Sequence, residues 1–251
     1  MNKRRLSYFM AVVLYAISIK AEGDTLPVPK QNWSFEGPTG TFKQDALQRG
    51  YQVFKEVCSA CHGLKRISYE KLMAIGLSKD AVKALAAEHD QPDLNDEGQP
   101  IQRKGIPSDK IHSPYPNDKA ARASNNGALP PDLSLITKAR AGGPNYVYAL
   151  ITGFCSAPTD MTVSEGMHYN PYFSGRQIAM APPLFEGQVK FADGTKASVD
   201  QMAKDVVTFL SWAAEPEMEQ RKQMGIKVLF YLLILTVVLY LSKRKIWKRL
   251  K

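Results

Sequence analysis

The amino-acid sequence predicts a mainly α fold: one domain with long wrapping loops, carried on a single C-terminal transmembrane helix. Two stretches, from Thr41 to Val57 and from Ser198 to Glu215, repeat apolar residues at helical spacing, strand signals are sparse, and the run VLFYLLILTVVLYL from Val228 to Leu241 has only Thr236 as a polar residue. The chain has 251 residues, 44% apolar and 23% charged, which is ordinary globular composition. Its formal charge is +9, but Lys3, Arg4, Arg5 and Lys20 at one end and Lys243, Arg244, Lys245, Lys248, Arg249 and Lys251 at the other supply ten positive charges with no acid among them. Taking those ten from +9 leaves −1 for the middle of the chain, so no basic nucleic-acid groove is expected.

Residues 1–21 have a basic start, an apolar stretch from Leu6 to Ile19, and Ala21 at a cleavage-like position, the layout of an export signal. Lys20 and the bulky Ile19 leave an uncleaved anchor open, while the absence of an Arg- and Ser-rich amphipathic pattern points to a bacterial envelope. At the other end the apolar run extends back through Lys227 to Met224, giving eighteen residues or about 27 Å of helix, nearly a bilayer core. The basic cluster with Trp247 follows as a cytoplasmic flank. The expected organisation is therefore a signal at 1–21, an exported domain at 22–222, an anchor at 223–242 and a basic tail at 243–251, single-pass in a bacterial inner membrane with the domain on the periplasmic side.

Within the domain, Thr41 and Gln44 suggest a capping box for a helix that presents Phe42, Ala46, Leu47, Gly50, Val53, Phe54 and Val57 on one side. Ser198 and Gln201 suggest another for a helix with Met202, Ala203, Val206, Phe209, Leu210 and Ala213, ending before Pro216. Shorter helices are expected at Tyr69–Ile75, near Ala81–Glu88, and at Pro144–Thr152 after the Gly142-Gly143 break. From Gln91 to Pro131 the chain is rich in Pro, Asn, Asp and Gly and reads as a long ordered loop that must wrap something.

The chemistry follows from Cys58-Ser59-Ala60-Cys61-His62, the attachment pattern of a covalent haem. One helical turn sets the two sulfurs at the separation of the haem vinyl groups, and the adjacent histidine is aimed at the iron. A zinc site with Cys155, His89, His112 or His168 as fourth ligand is the alternative, but no second close pair of ligands exists; a Cys58–Cys61 disulfide is a further one. A haem held by His62 takes a second axial ligand or keeps an open face. Setting aside the leader, membrane-proximal and core methionines leaves Met73, Met161, Met167 and Met180, of which Met180 precedes the stiff Ala181-Pro182-Pro183 and is favoured over an ordinary packed methionine.

Gly50, Phe54, Cys58, Cys61 and His62 resemble the opening helix and haem site of class I c-type cytochromes. The run from Ala121 to Ser134 (ARASNNGALPPDLS), Asn170-Pro171-Tyr172-Phe173, Met180-Ala181-Pro182-Pro183, and Ala213-Ala214-Glu215-Pro216-Glu217 are more specific, and from about residue 30 to 248 the sequence resembles the cytochrome c1 family of the bc1 complex. The resemblance implies a class I cytochrome c-like haem domain with one covalently attached haem c, His62 and Met180 as axial ligands, and Cys58 and Cys61 as thioethers. It implies that Arg140 pairs with a haem propionate, that Asn125 and Tyr146 are other propionate-side contacts, and that Pro130 and Pro131 pack along the haem, one of their carbonyls accepting the His62 ring proton. Some bacterial relatives close a disulfide where Cys155 falls; no cysteine lies between Ser156 and Lys251, so Cys155 is expected as an unpaired thiol.

The implied function is the electron-transfer subunit of a quinol–cytochrome c oxidoreductase in the respiratory chain, with no bond-making chemistry of its own, taking single electrons from the Rieske iron–sulfur protein and passing them to a soluble or tethered cytochrome c. Cytochrome b and membrane lipid are its other implied partners. The alternative is an independent tethered carrier outside the bc1 complex, which a long flexible linker would favour; Glu215 to Gln223 is short and charged. A peroxidase would want an open iron face or a second haem. A cationic cytochrome c would suit Glu88, Asp90, Asp93, Asp96 and Glu97, five acids in ten residues without Lys or Arg, or the same residues are a solvated loop.

Overall fold

The computed structural model describes residues 25–249; the segment 1–21, expected as an export signal, lies outside the described residues, as do positions 22–24 and the last two residues. The centre of the domain is a pair of helices. Helix α1 spans Gln44–Glu56 and buries Leu47, Gly50, Tyr51, Val53 and Phe54, the face that its periodicity marks. Much later in the chain, a helix at Val199–Ala214 is buried from Met202 to Ala213, as expected for an element covered on several sides. The two cross so closely that a Cβ on Gly50 would fall 2.1 Å from the Asp205 carbonyl oxygen and 2.7 Å from Phe209 Cβ. Phe209 lies at the centre of an aromatic group with Tyr51, Phe54 and Trp212, ring centroids 5.5–5.9 Å apart. Arg49 leaves α1 on the rim and donates to buried Asp205 and to Asp193, both at 2.7 Å.

After α1 a single 3-10 turn at Cys58–Ala60 leads to strand β1 (Leu64–Ser68), a 3-10 helix at Tyr69–Ile75 and helix α2 (Lys79–Ala87), whose N-cap Ser78 accepts from Ala81 N. Strands β2 (Asp90–Leu94) and β3 (Pro100–Lys104) form an antiparallel hairpin with Asp90 opposite Lys104 and Leu94 opposite Pro100, and β4 (Lys110–Ile111) pairs with β1. Helix α3 (Asp118–Ser124), capped by Asn117, also lies within the Gln91–Pro131 segment expected as a long ordered loop. That expectation is corrected here: the hairpin is exposed on nearly every position of both faces, so no apolar alternation marks it. Its turn is held instead by the Asn95 side chain, which accepts from Glu97 N and Gln99 N.

The short helix α4 (Ile136–Ala139) and helix α5 (Gly143–Thr152) pack against the Val199–Ala214 helix, which is α6. Between α5 and α6 a third ribbon pairs β5 (His168–Tyr169) with β6 (Gln177–Ile178). Ser198 caps α6 and accepts from Gln201 N, as its pattern predicts. The matching cap on α1 is absent: Lys43 is the N-cap, without a side-chain bond, and Thr41 donates its own N–H to Ser34 O. The Phe42 N–H that a box would leave near the helix start is instead taken by Glu219 Oε1, 177 residues away.

Helix α7, Met218–Lys248, begins three residues after α6 ends and runs for 31 residues, about 46 Å. Its most apolar 18-residue window has a mean hydropathy of 2.3 and no buried share, so it is long and apolar enough to cross a membrane. Its first turn belongs to the domain. Met218 is in the core; Lys138 and Arg221 both pair with Glu215, Lys71 pairs with Glu217 at 2.9 Å, and Lys222 Nζ donates to Phe35 O and Gly40 O at 2.7 and 2.9 Å. The apolar window continues a helix whose first turn is tied to the domain on several sides.

Candidate haem site

The end of α1 delivers the Cys58 turn. Val57 stays helical and its N–H still bonds to Val53 O, after which Cys61 N and His62 N both donate to Cys58 O at 3.1 and 2.9 Å. This winding puts Cys58 and Cys61 on one turn with His62 immediately after. Cys58 is half-buried against the core, its thiol pushed up to about 12 by burial; Cys61 is exposed, and both are free thiols, as is exposed Cys155.

His62 is half-buried, and its Nδ1 lies 2.7 Å from Pro131 O. A carbonyl only accepts, so Nδ1 carries the proton and Nε2 presents a bare lone pair. Burial lowers the ring's hold on a second proton, against the Pro131 hydrogen bond and the Asp132 charge. The carbonyl is held by a run that lies alongside the residues after His62. Leu133 N donates to Gly63 O at 3.0 Å, Lys65 N to Asp132 Oδ2 at 2.8 Å, Ser134 N to Asp132 Oδ1 at 3.0 Å, and Arg66 N to Ser134 Oγ at 3.1 Å. Asp132 and Ser134 are the residues that sequence reasoning passed over. Their only signal is a pair of short acceptors after Pro-Pro, and their partners lie 67 and 68 positions away.

Asn125, at the end of α3, donates from Nδ2 to Ala121 O at 2.7 Å and to Tyr115 Oη at 3.0 Å, so its amide hydrogens are engaged and Oδ1 is the end left for other contacts. The next turn is left-handed at Asn126 and Gly127 (φ 49° and 82°) and runs beside Gly166, where a Cβ would come 3.8 Å from Asn126 Nδ2. Arg140 is exposed after α4, and the chain turns through Gly142 and Gly143 (φ 84° and 54°) into α5, which carries half-buried Tyr146. Burial pushes the Tyr146 phenol upward while the Arg140 charge acts against it.

Met180 is half-buried two residues past β6, ahead of half-buried Pro182 and Pro183 and buried Leu184. The loop before its ribbon is pinned by Ser164 N donating to Gln177 Oε1 at 2.8 Å, and contains half-buried Met161 and Met167. Met73 is 45% exposed on the Tyr69–Ile75 helix, a poor position for an axial ligand.

The acids of residues 88–97 are not bare. Glu88 pairs with Lys55 at 2.9 Å, Asp90 with Lys104 at 3.0 Å, and Asp93 with Arg103, leaving Asp96 and Glu97 at the hairpin turn. The neutralising cations come from outside that stretch of sequence.

A haem fits this donor set. The imidazole is fixed with Nε2 bare, two free thiols share one turn, and a cleft beside Cys61 is lined by Gly63, Tyr115, Leu129, Pro130 and Asp132. Zinc fits less well: among the described residues no three His, Cys, Asp or Glu side chains come together to hold a metal ion, and His89 and His112 stack on each other at 4.5 Å. Fold and site define the class as a single-domain cytochrome carried on a C-terminal apolar helix. The Cytochrome C1 family model matches residues 33–250. The chain is 45% identical to cytochrome c1 of Rhodospirillum rubrum over 99% of its own length and 98% of that protein's, and 46% identical to the mitochondrial cytochrome c1 heme protein of Saccharomyces cerevisiae over 95% and 79%. A similar heme protein from Kluyveromyces lactis mitochondria is 44% identical over 96% and 85%. The chain belongs to the cytochrome c1 family.

Proposed function

We propose that this chain is the membrane-anchored c-type cytochrome subunit of a bc1 complex in a bacterial inner membrane, taking single electrons from the Rieske iron–sulfur protein and giving them to a soluble or tethered cytochrome c on the periplasmic side. Cys58 and Cys61 would hold haem c as thioethers, His62 Nε2 and Met180 Sδ would ligate its iron, and Arg140, Asn125, Tyr146 and Pro131 would contact the rest of it. Bound there, haem c supplies a one-electron ferric/ferrous couple. The protein's part is to fix the ligands so that little moves when the charge changes: Pro131 O locks the His62 tautomer, and Pro182 and Pro183 stiffen the chain after Met180. A thioether favours the reduced state and so raises the potential.

The observation that carries the reading is the Cys58–His62 turn with His62 Nδ1 already engaged. Membership of a complex, rather than life as an independent tethered carrier, is supported by the three-residue junction before α7 and the ion pairs across it, which give the domain no reach. It would sit on its membrane neighbours, cytochrome b among them, with lipid around α7. The test is a pyridine haemochrome spectrum of the membrane fraction, haem staining after denaturing electrophoresis, and co-purification. A c-type spectrum on a band of this size that travels with cytochrome b supports the assignment; a band that purifies alone returns it to the independent carrier.

A further inference from the structure

We propose that Asp132 is a positioning residue for His62, holding the Pro131 carbonyl on the imidazole and setting how strongly that ring donates to the iron; the proposal rests on the haem reading above. One carboxylate oxygen accepts locally from Ser134 N, an ordinary turn of the chain on itself. The other reaches across 67 residues to Lys65 N at 2.8 Å, three positions after the ligand. The His62 Nδ1 to Pro131 O contact and the Leu133 N to Gly63 O bond join the same two runs, so the carboxylate bond to Lys65 N is a further tie on the pairing that carries the ligand. A Cβ on Gly63 would crowd Ser113 Oγ at 3.2 Å and only touch Asp132 Oδ2, at 3.4 Å. Asp132 directly follows Pro131, so its carboxylate sits one residue from the carbonyl that accepts from His62 Nδ1.

The chemistry follows from the charge on that carboxylate. A negative charge behind an Nδ1–H to carbonyl hydrogen bond strengthens the bond and makes the ring a better electron donor, which stabilises ferric over ferrous iron. Asp132→Asn removes the charge and turns an NH2 toward one of the two N–H groups that the carboxylate serves. The ring then donates less, and ferrous iron gains. At an ambient potential equal to the wild-type midpoint, the ferrous-to-ferric ratio should rise roughly tenfold, equivalent to about 59 mV for a one-electron couple.

The experiment is potentiometric titration of full-length wild type and Asp132→Asn in membranes, with haem staining and thermal unfolding run beside it. A positive shift of the midpoint in a variant that keeps its covalent haem is the expected result. A variant with covalent haem, a lowered unfolding temperature and an unmoved midpoint overturns the proposal and leaves Asp132 as a structural brace, with the haem reading untouched. Wild type without covalent haem overturns both. Should the Asn variant fail to accumulate, Asp132→Ser, whose hydroxyl still accepts one amide hydrogen, is read in the same way: a positive shift supports the proposal and an unmoved midpoint overturns it.

Discussion

Each residue of the Cys58–His62 turn has a separable duty, and substitutions should separate them. Cys58→Ser or Cys61→Ser removes one of the two proposed thioethers while leaving the turn, so each single variant should accumulate less haem-stained protein and the double variant should lose the stain on denaturing electrophoresis; full covalent haem in the double variant would contradict the site. Met180→Leu should keep the covalent haem, since attachment rests on the two cysteines, but lower the midpoint potential or open the sixth position, because loss of a soft thioether removes a preference for ferrous iron. Potentiometric titration decides it, and an unchanged midpoint would move the ligand role to Met161 or Met167, both half-buried on the loop before the β5–β6 ribbon. Cys155 is exposed and free, so it should be alkylated in denatured, unreduced protein, leaving a single added label in intact mass; an unlabelled Cys155 would mean that it is bridged.

Among the elements, α1 and α6 carry the domain, and Gly50 is where they meet. With a Cβ at 2.1 Å from a backbone oxygen, Gly50→Ala cannot be relieved by rotating a side chain, so the helices must part. The cost should be about 3 kcal/mol, seen as a lower denaturation midpoint in the detergent-solubilised chain; a midpoint within error of wild type would mean that the contact yields freely. These helices were legible in the sequence because each buries one face at a 3.6-residue period, and the haem turn was legible because its five residues are contiguous. What escaped was set by distant partners or by none. The β2–β3 hairpin buries almost nothing and so leaves no apolar pattern. The helix starts at a Lys43 cap rather than at Thr41, whose N–H goes to Ser34 O, and the acidic stretch looked bare because Lys55, Arg103 and Lys104 lie outside it. Asp132 went unnoticed for the same reason, its decisive partner being Lys65.

At the scale of the whole molecule, the join between domain and span decides whether the chain is a tethered carrier or a fixed part of a larger assembly, and Glu215 is the centre of that join. It receives Lys138 from α4 and Arg221 from α7, and those cations hold its carboxyl down to about 2 from an ordinary value of 4.5, the Arg221 hydrogen bond contributing most. A carboxylate with a depressed native pKa stabilises the fold fully above its unfolded value and loses that contribution as pH falls through the native one. The stabilisation is therefore complete above about pH 5, and it drains away between there and pH 2. Its size is modest: Lys138 and Arg221 are 52% and 63% exposed, so screening cuts the full linkage value to about 1 kcal/mol. Glu215→Gln should lower the thermal unfolding temperature of the full chain in detergent at pH 7. The gap from wild type should narrow steadily below pH 5 and close near pH 2, which separates this carboxylate from the many others that titrate in the same range. Parallel wild-type and variant profiles down to pH 2 would show that the ion pairs add nothing to the join, and the rigidity of the anchor would then rest on Met218 in the core and on the Lys222 bonds to Phe35 O and Gly40 O.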